Sequence, residues 1–172
     1  MVETFGALDF AHNNAGIEVQ KTVLETTVED YDRVQAVNAK GVFLGLKSQL
    51  PIMKAQGSGA IVNTASLLGL VGLPGLAAYV ASKHAVVGLT KVAAIEHAGD
   101  GIRVNSVCPA ATGTEMMLHL PPERQADLVA PQAIKRIADP NEIAEVVVWL
   151  ASDRASFITG ANIPADAGAT AM

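Results

Sequence analysis

The sequence has little cysteine, little charge and no basic cluster, and each shortage excludes a class of protein. The single cysteine, Cys108, allows neither an internal disulfide nor a cysteine-rich metal site, and it fits a reducing, cytoplasmic setting. Seventeen acidic residues against 12 basic ones give a net charge of −5. Because no Lys/Arg run interrupts this balance, we expect no nucleic-acid partner. The four histidines show no ligand spacing, so we expect no metal site.

Neither a targeting segment nor a membrane span is predicted. Residues 1–4 have neither the basic start nor the apolar stretch of a signal peptide. The uncharged interval between Lys54 and Lys83 contains a proline and five glycines, so its backbone could not stay helical across a bilayer. With 172 residues, half of them hydrophobic, the chain is expected to form one soluble domain over 1–172 that has no membrane partner.

Short apolar runs alternate with helical segments along the chain. Four runs have the composition of strands in a sheet that is covered on both faces: 8–12, 60–65, 102–108 and 161–164. Three helices are predicted from the apolar period: 26–53, 76–97 and 141–150. The alternation predicts an α/β fold with a doubly wound, Rossmann-like parallel sheet and helices on both faces.

Local signals indicate where these elements begin and end. Thr26 followed by Glu29 has the spacing of a capping box at a helix start. Gly99 is suited to end the second helix. Pro121 and Pro122 are typical of a loop.

The glycine-rich turn of a dinucleotide-binding sheet is not found in this sequence. Such a sheet begins with a strand, a G-x-G-x-x-G-type turn and a helix whose N-terminus holds the pyrophosphate. The segment Gly57-Ser58-Gly59 precedes a predicted strand instead of following one, so we interpret it as a tight turn.

A tyrosine and a lysine give the clearest chemical signal. Tyr79 and Lys83 lie four residues apart in a predicted helix, so their side chains share one face. A nearby ammonium favours the phenolate and lowers the phenol pKa from about 10 toward a range useful for proton transfer. Ser66 follows the predicted strand 60–65, where its hydroxyl could bond a substrate oxygen at the carboxyl edge of the sheet. Alone, a Tyr-x-x-x-Lys pair is also typical of a solvated surface contact.

Further motifs follow in a fixed order. Asn13-Asn14-Ala15-Gly16 comes after a predicted strand, Asn38 lies within a helical pattern, and Asp166-Ala167-Gly168 follows the last predicted strand. Taken singly, these segments suit a turn or a surface asparagine. Together, in this order and spacing, they resemble the short-chain dehydrogenase/reductase family of the classical type over about residues 5–168.

The resemblance implies roles for individual residues. It makes Tyr79 the catalytic acid/base, Lys83 the group that lowers its pKa and holds the nicotinamide ribose, and Ser66 the group that orients the reacting oxygen. Asn38 would hold a water that links Lys83 to solvent. The other implied cofactor contacts are Asn13, Asn14, Ala15, Gly16, Pro109, Ala110, Thr112 and Thr114.

The implied function is an oxidoreductase that transfers a hydride between NAD or NADP and a small alcohol or carbonyl substrate. Two alternatives stay open. One is a non-catalytic remnant of the family that acts as an oligomerising or binding module. The other is a cofactor-independent reaction that uses Tyr79 and Lys83 as acid and base. A homo-oligomer, dimer or tetramer, is expected because the family's main oligomer surface corresponds to 26–56 and 76–98.

The sequence also departs from the family pattern. It corresponds to the C-terminal portion of the fold, so we expect a truncated sheet in which strand 8–12 is an apolar edge, covered by a second molecule or by a rearranged N-terminus. Ala110 and Ala167 stand where the family usually has glycine. A methyl group at Ala110 could crowd the nicotinamide, since glycine permits closer backbone contact.

Overall fold

A four-stranded parallel sheet forms the centre of the computed structural model, which describes residues 2–171. The strands lie in chain order, each parallel to its neighbour: β1 (Phe10–Asn13), β2 (Gly59–Thr64), β3 (Ile102–Pro109) and β4 (Asn162–Ala165). The helices are α1 (Val2–Phe5), α2 (Val28–Gln56), α3 (Ala77–His97), α4 (Glu115–Leu118), α5 (Pro122–Val129) and α6 (Pro140–Ala151). The predicted α/β class and the Rossmann-like parallel sheet are confirmed.

The strands bury side chains on both faces of the sheet. In β2, Ile61 belongs to an apolar cluster with α2 and α3, whereas its neighbour Val62 belongs to a second cluster with α6. Val147 of α6 completes that second cluster against Val107 of β3. Because successive strand residues point to opposite faces, burial on both sides requires the continuous apolar runs that the sequence shows.

The N-cap of helix α2 lies one residue after the predicted cap. The side chain of Thr27, not Thr26, accepts a hydrogen bond from the Asp30 backbone N–H at 3.1 Å. The Thr26 hydroxyl instead donates to the Thr22 carbonyl. The capping-box prediction at Thr26 was therefore wrong by one position, because two adjacent threonines offered the same chemistry.

Two other boundary predictions need correction. Gly99 does not end α3: a 3₁₀ turn (Ala98–Asp100) continues the chain, and Gly101, in the left-handed region at φ 76°, makes the reversal. The pair Pro121-Pro122 is not a plain loop, because Pro122 is the first residue of α5. Proline suits that position, since its missing N–H has no helical partner there.

A buried amide network ties β1 to the helices. Asn13 exchanges two hydrogen bonds with Gln49 of α2 and donates a third, at 2.8 Å, to Asn63 of β2. Asn63 in turn donates to Thr90 of α3. These contacts fix the carboxyl end of β1 against the sheet, and that end leads directly into the candidate site.

Within residues 2–171, β1 pairs only with β2, so its other side is free, as expected for an edge strand. What covers this edge, and whether the chain forms a dimer or tetramer, stay predictions. Within the same range, no helix combines the length and apolar character needed to cross a bilayer.

Candidate active site

The carboxyl ends of the parallel strands open into a cavity of about 800 Å³. Parallel strands direct their carboxyl ends to one edge of the sheet, and in α/β folds ligands bind at that edge. The loops after β1, β2 and β3 form one wall, and α3, α4 and α6 contribute the others. This cavity is therefore where the sequence-predicted residues should meet.

Ten of the twelve predicted site residues line this cavity. They are Asn14, Ala15, Gly16, Ser66, Tyr79, Lys83, Pro109, Ala110, Thr112 and Thr114. The other two, Asn13 and Asn38, do not line it. Asn13 is occupied by the amide network described above, so its observed contacts support the sheet.

Helix α3 carries the tyrosine and lysine on one face. Lys83 is 3% exposed, and its Nζ donates a 2.9 Å hydrogen bond to the Thr64 carbonyl at the end of β2. The same Nζ lies 5.5 Å from the centre of the Tyr79 ring. Burial of the ammonium lowers the pKa of Lys83 to about 8.

The electrostatics of Tyr79 differ from the expectation. Burial raises the pKa of Tyr79 to about 12, and the negative charge of Glu18 acts in the same direction. The polar Ser66 hydroxyl opposes this rise in the pKa of Tyr79 without reversing it. The expected lowering by Lys83 is not among these effects, because the ammonium lies over the ring while the desolvated phenol resists ionisation.

Ser66 is held by the turn that follows β2. Its Oγ accepts a 3.1 Å hydrogen bond from the Leu68 N–H and so caps the 3₁₀ turn Leu67–Gly69. The side chain is 8% exposed and lines the cavity. An oxygen that accepts from the backbone keeps its own O–H available as a donor.

Asn38 links α2 to the first motif. Its Oδ1 accepts from the Ile17 N–H at 2.8 Å, while its Nδ2 donates to the Ile17 carbonyl and to the Ser82 hydroxyl. The side chain thus clamps Ile17, the residue directly after Gly16. The implied water relay through Asn38 stays a prediction.

Hydrogen bonds to Gln132 and Ala138 hold the backbone of the loop after β3. The N–H of Ala111 donates to the Gln132 side chain at 3.1 Å, and the Ala111 carbonyl accepts from the Ala138 N–H. Gln132 is 1% exposed and uses its amide group to hold the carbonyls of Ile134 and Arg136. This arrangement fixes the backbone that borders the cavity.

Three residues of this region were not predicted from the sequence. Glu18 and His12 line the cavity, and Gln132 holds its loop. The His12 Nε2 donates to the Thr64 hydroxyl, which in turn donates to Asn14 Oδ1. The positions of His12 and Glu18, immediately on either side of the Asn13–Ile17 segment, were the only available signal. No sequence pattern indicated Gln132, because its contacts form only in the folded chain.

Among residues 2–171, no group of three or more His, Cys, Asp or Glu side chains is arranged to hold a metal ion.

Comparisons with known proteins show which family the chain is similar to. A family model described as enoyl-(acyl carrier protein) reductase matches residues 1–170. The chain is 47% identical over 172 residues to a meso-2,3-butanediol dehydrogenase of Serratia marcescens, covering 99% of the chain and 68% of that protein. It is 46% identical over 171 residues to a cyclohexanol dehydrogenase of Acinetobacter sp. (strain SE19), covering 98% of the chain and 66% of that protein.

A solved structure shows the same fold. The crystal structure of levodione reductase matches with a TM-score of 0.94 at 40% identity, covering 99% of this chain and 69% of that one. The chain spans about two thirds of the length of these relatives.

Proposed function

The chain belongs to the short-chain dehydrogenase/reductase family, and from that premise we propose that it is an NAD- or NADP-dependent oxidoreductase of small alcohols and carbonyls. One observation carries the proposal. Ser66, Tyr79 and Lys83 meet on the wall of one open cavity at the carboxyl ends of the strands. A convergent set of titratable and hydrogen-bonding groups in such a cavity is the usual form of an active site.

The residues around the cavity fit the nicotinamide half of the cofactor. Lys83 offers an ammonium, Thr112 and Thr114 offer hydroxyls, and the fixed loop backbone offers a flat border. Gly16 lies close to the amine, since a Cβ there would be 3.4 Å from Lys83 Nζ. When bound, the nicotinamide supplies or accepts the hydride. Pyrophosphate binding by a glycine-rich turn has no counterpart in this sequence.

Tyr79 is the proton donor in the proposed reaction. With its pKa raised to about 12, the phenol keeps its proton at neutral pH. In carbonyl reduction the carbonyl carbon receives a hydride and the carbonyl oxygen receives the Tyr79 proton, so that an alcohol forms. The Ser66 hydroxyl orients the same oxygen by a hydrogen bond. The protonated phenol is the form of Tyr79 that carbonyl reduction requires, and it is the form present at neutral pH.

The proposal is tested by cofactor binding and turnover. Isothermal titration with NADH and NADPH measures binding, and the loss of reduced nicotinamide absorbance with cyclohexanone measures reduction. We expect binding of one of the two cofactors and reduction that exceeds cyclohexanol oxidation at pH 7. Tyr79→Phe should lower kcat by about 100-fold or more, since general acid catalysis contributes that much.

The matched control is Tyr31→Phe. Tyr31 is the other tyrosine of the chain, lies on α2 and is 44% exposed. This variant should retain the starting kcat. Failure of the chain to bind either cofactor would overturn the proposal and favour the alternative of a binding module. Equal kcat values for Tyr79→Phe and the unaltered chain would remove Tyr79 from the mechanism.

A further inference from the structure

The charges around the cavity are unequally distributed. Three carboxylates line it, from Glu18, Glu115 and Asp127, whereas Lys83 is its only lysine or arginine. Lys83 is nearly fully buried and is already bonded to a backbone carbonyl. His12 also lines the cavity, but desolvation lowers its pKa, which disfavours the charged form of the ring. A ligand in the open part of the cavity therefore meets mainly negative charge.

Glu18 is the one carboxylate of the three whose charge raises the pKa of Tyr79. Asp127 is exposed and pairs with Arg124 at 3.2 Å, and Glu115 is exposed at the start of α4. Glu18 is half-buried, and its charge acts directly on the Tyr79 phenol. Its one described partner is an uncharged amide, because Gln20 Nε2 donates to its Oε1 at 2.9 Å.

The backbone before Glu18 is fixed. Asn38 bonds both the N–H and the carbonyl of Ile17, so the direction in which the chain leaves Ile17 is set by a buried side chain of α2. The backbone from which Glu18 projects is therefore held in a fixed direction at the cavity wall.

Much of the remaining lining is apolar. It includes Leu67, Leu68, Leu76, Met117, Ile143 and Val147. An uncharged ring or short chain can desolvate against such a surface, whereas a carboxylate, sulfonate or phosphate would lose water without gaining a cation.

We infer that Glu18 makes this cavity selective for uncharged alcohols and ketones by repelling substrates that carry a negative charge near the reacting carbon. This inference rests on the proposed function, because it assigns the charge class of the substrate of that same site. Like charges brought together at a binding site are disfavoured, so rejection is as much a part of specificity as attraction.

The test compares two ligands that share a cyclohexanol ring and differ by one carboxylate group, cyclohexanol and cis-4-hydroxycyclohexanecarboxylate. Their dissociation constants are measured by ligand-observed NMR titration, and their kcat/KM values are measured with the preferred cofactor. For the unaltered chain, cyclohexanol should have the lower dissociation constant and the higher kcat/KM. Glu18→Gln should shift the ratio toward the carboxylate by about tenfold, the effect of removing one like charge in a partly hydrated site.

Glu96→Gln is the matched control. Glu96 lies exposed on α3, away from the cavity, so its substitution changes the net charge equally and should leave the ratio unchanged. Raising the salt concentration should weaken the preference of the unaltered chain for cyclohexanol over the carboxylate, because salt screens the repulsion. This titration provides a second measurement if Glu18→Gln fails to fold.

Binding and turnover separate the two claims. A binding ratio that shifts in Glu18→Gln without any turnover would support the charge selectivity and oppose the oxidoreductase proposal. Turnover with a ratio that is the same in Glu18→Gln and the unaltered chain would overturn the inference and leave the oxidoreductase proposal standing. Binding of the carboxylate as tightly as cyclohexanol, or binding of neither, would also overturn the inference.

Discussion

Lys83 Nζ lies 5.5 Å from the centre of the Tyr79 ring while it donates a 2.9 Å hydrogen bond to the Thr64 carbonyl. The amine thus joins α3 to the end of β2. It also remains a buried charge with no carboxylate partner among the described ion pairs. A buried, unpaired ammonium lowers the free energy of unfolding, and the size of this effect depends on pH.

The first prediction concerns that pH dependence. Burial lowers the pKa of Lys83 to about 8, whereas an unfolded lysine has a pKa of about 10.4. Between these values the unfolded chain binds more protons, so the free energy of unfolding should rise with pH, by up to ~3 kcal/mol from Lys83. Urea unfolding from pH 7 to pH 10 measures the slope. Up to about pH 9 the Tyr79 phenol is protonated in both states, because its pKa is about 10 in the unfolded chain and about 12 in the folded one.

In Lys83→Met, the free energy of unfolding should lack the part of its rise with pH that comes from Lys83. Lys91→Met, an exposed position on the same helix, should keep it. If Lys83→Met and the unaltered chain gave parallel curves over this range, the burial of a charged Lys83 would be refuted.

The strands and most of the cavity residues could be predicted because their signals are local. Each predicted strand lies within two residues of its observed bounds, since a sheet buried on both faces demands an apolar run. Ser66 could be placed after β2 by position alone, and Tyr79 and Lys83 by helical spacing. The short helices α4 and α5 were not predicted, because four and eight residues carry too little periodicity.

The remaining site features depend on tertiary contacts. Asn13 does not line the cavity but joins a network with Gln49 and Asn63, which sequence spacing does not show, and its cofactor contact stays a prediction. The raised pKa of Tyr79 reflects burial, a property of the folded cavity. Glu18 became a candidate only when the cavity wall was known.

The second prediction concerns two glycines of α2 that sequence alone does not distinguish. A Cβ on Gly45 would lie 2.5 Å from Asn13 Oδ1, and Asn13 cannot withdraw without breaking its bonds to Gln49 and Asn63. A Cβ on Gly41 would meet nothing closer than 4.0 Å. Gly45→Ala should therefore destabilise the protein by about 1–3 kcal/mol, while Gly41→Ala should stabilise it by about 1 kcal/mol through helix propensity.

Urea unfolding of the two variants at one pH provides the comparison. A gain in stability for both alanines would mean that α2 can move away from β1, and the amide network would then not fix the strand. We expect the free energy of unfolding to fall in Gly45→Ala and to rise in Gly41→Ala.

The third prediction concerns the backbone of Ala167, the one non-glycine residue with positive φ in the described range 2–171, at 55°. Its carbonyl accepts from the N–H groups of Ala133 and Ile134, and the neighbouring Asp166 carboxylate bonds the N–H groups of Gly168 and Thr170. These bonds hold the residue in a region that costs an L-amino acid about 1–2 kcal/mol. Ala167→Gly should relieve this strain and, after the greater chain entropy of glycine when unfolded, raise stability by about 0.5–1 kcal/mol.

Ala161→Gly is the control for Ala167→Gly, because Ala161 has negative φ and should lose about 0.5–1 kcal/mol from the entropic effect alone. Thermal unfolding of both variants measures the sign of each change in stability. That sign depends on the backbone conformation at the substituted position. If Ala167→Gly were destabilised as much as Ala161→Gly, then the left-handed conformation at Ala167 would not strain the fold. The family's preference for glycine there would then need a reason other than backbone geometry.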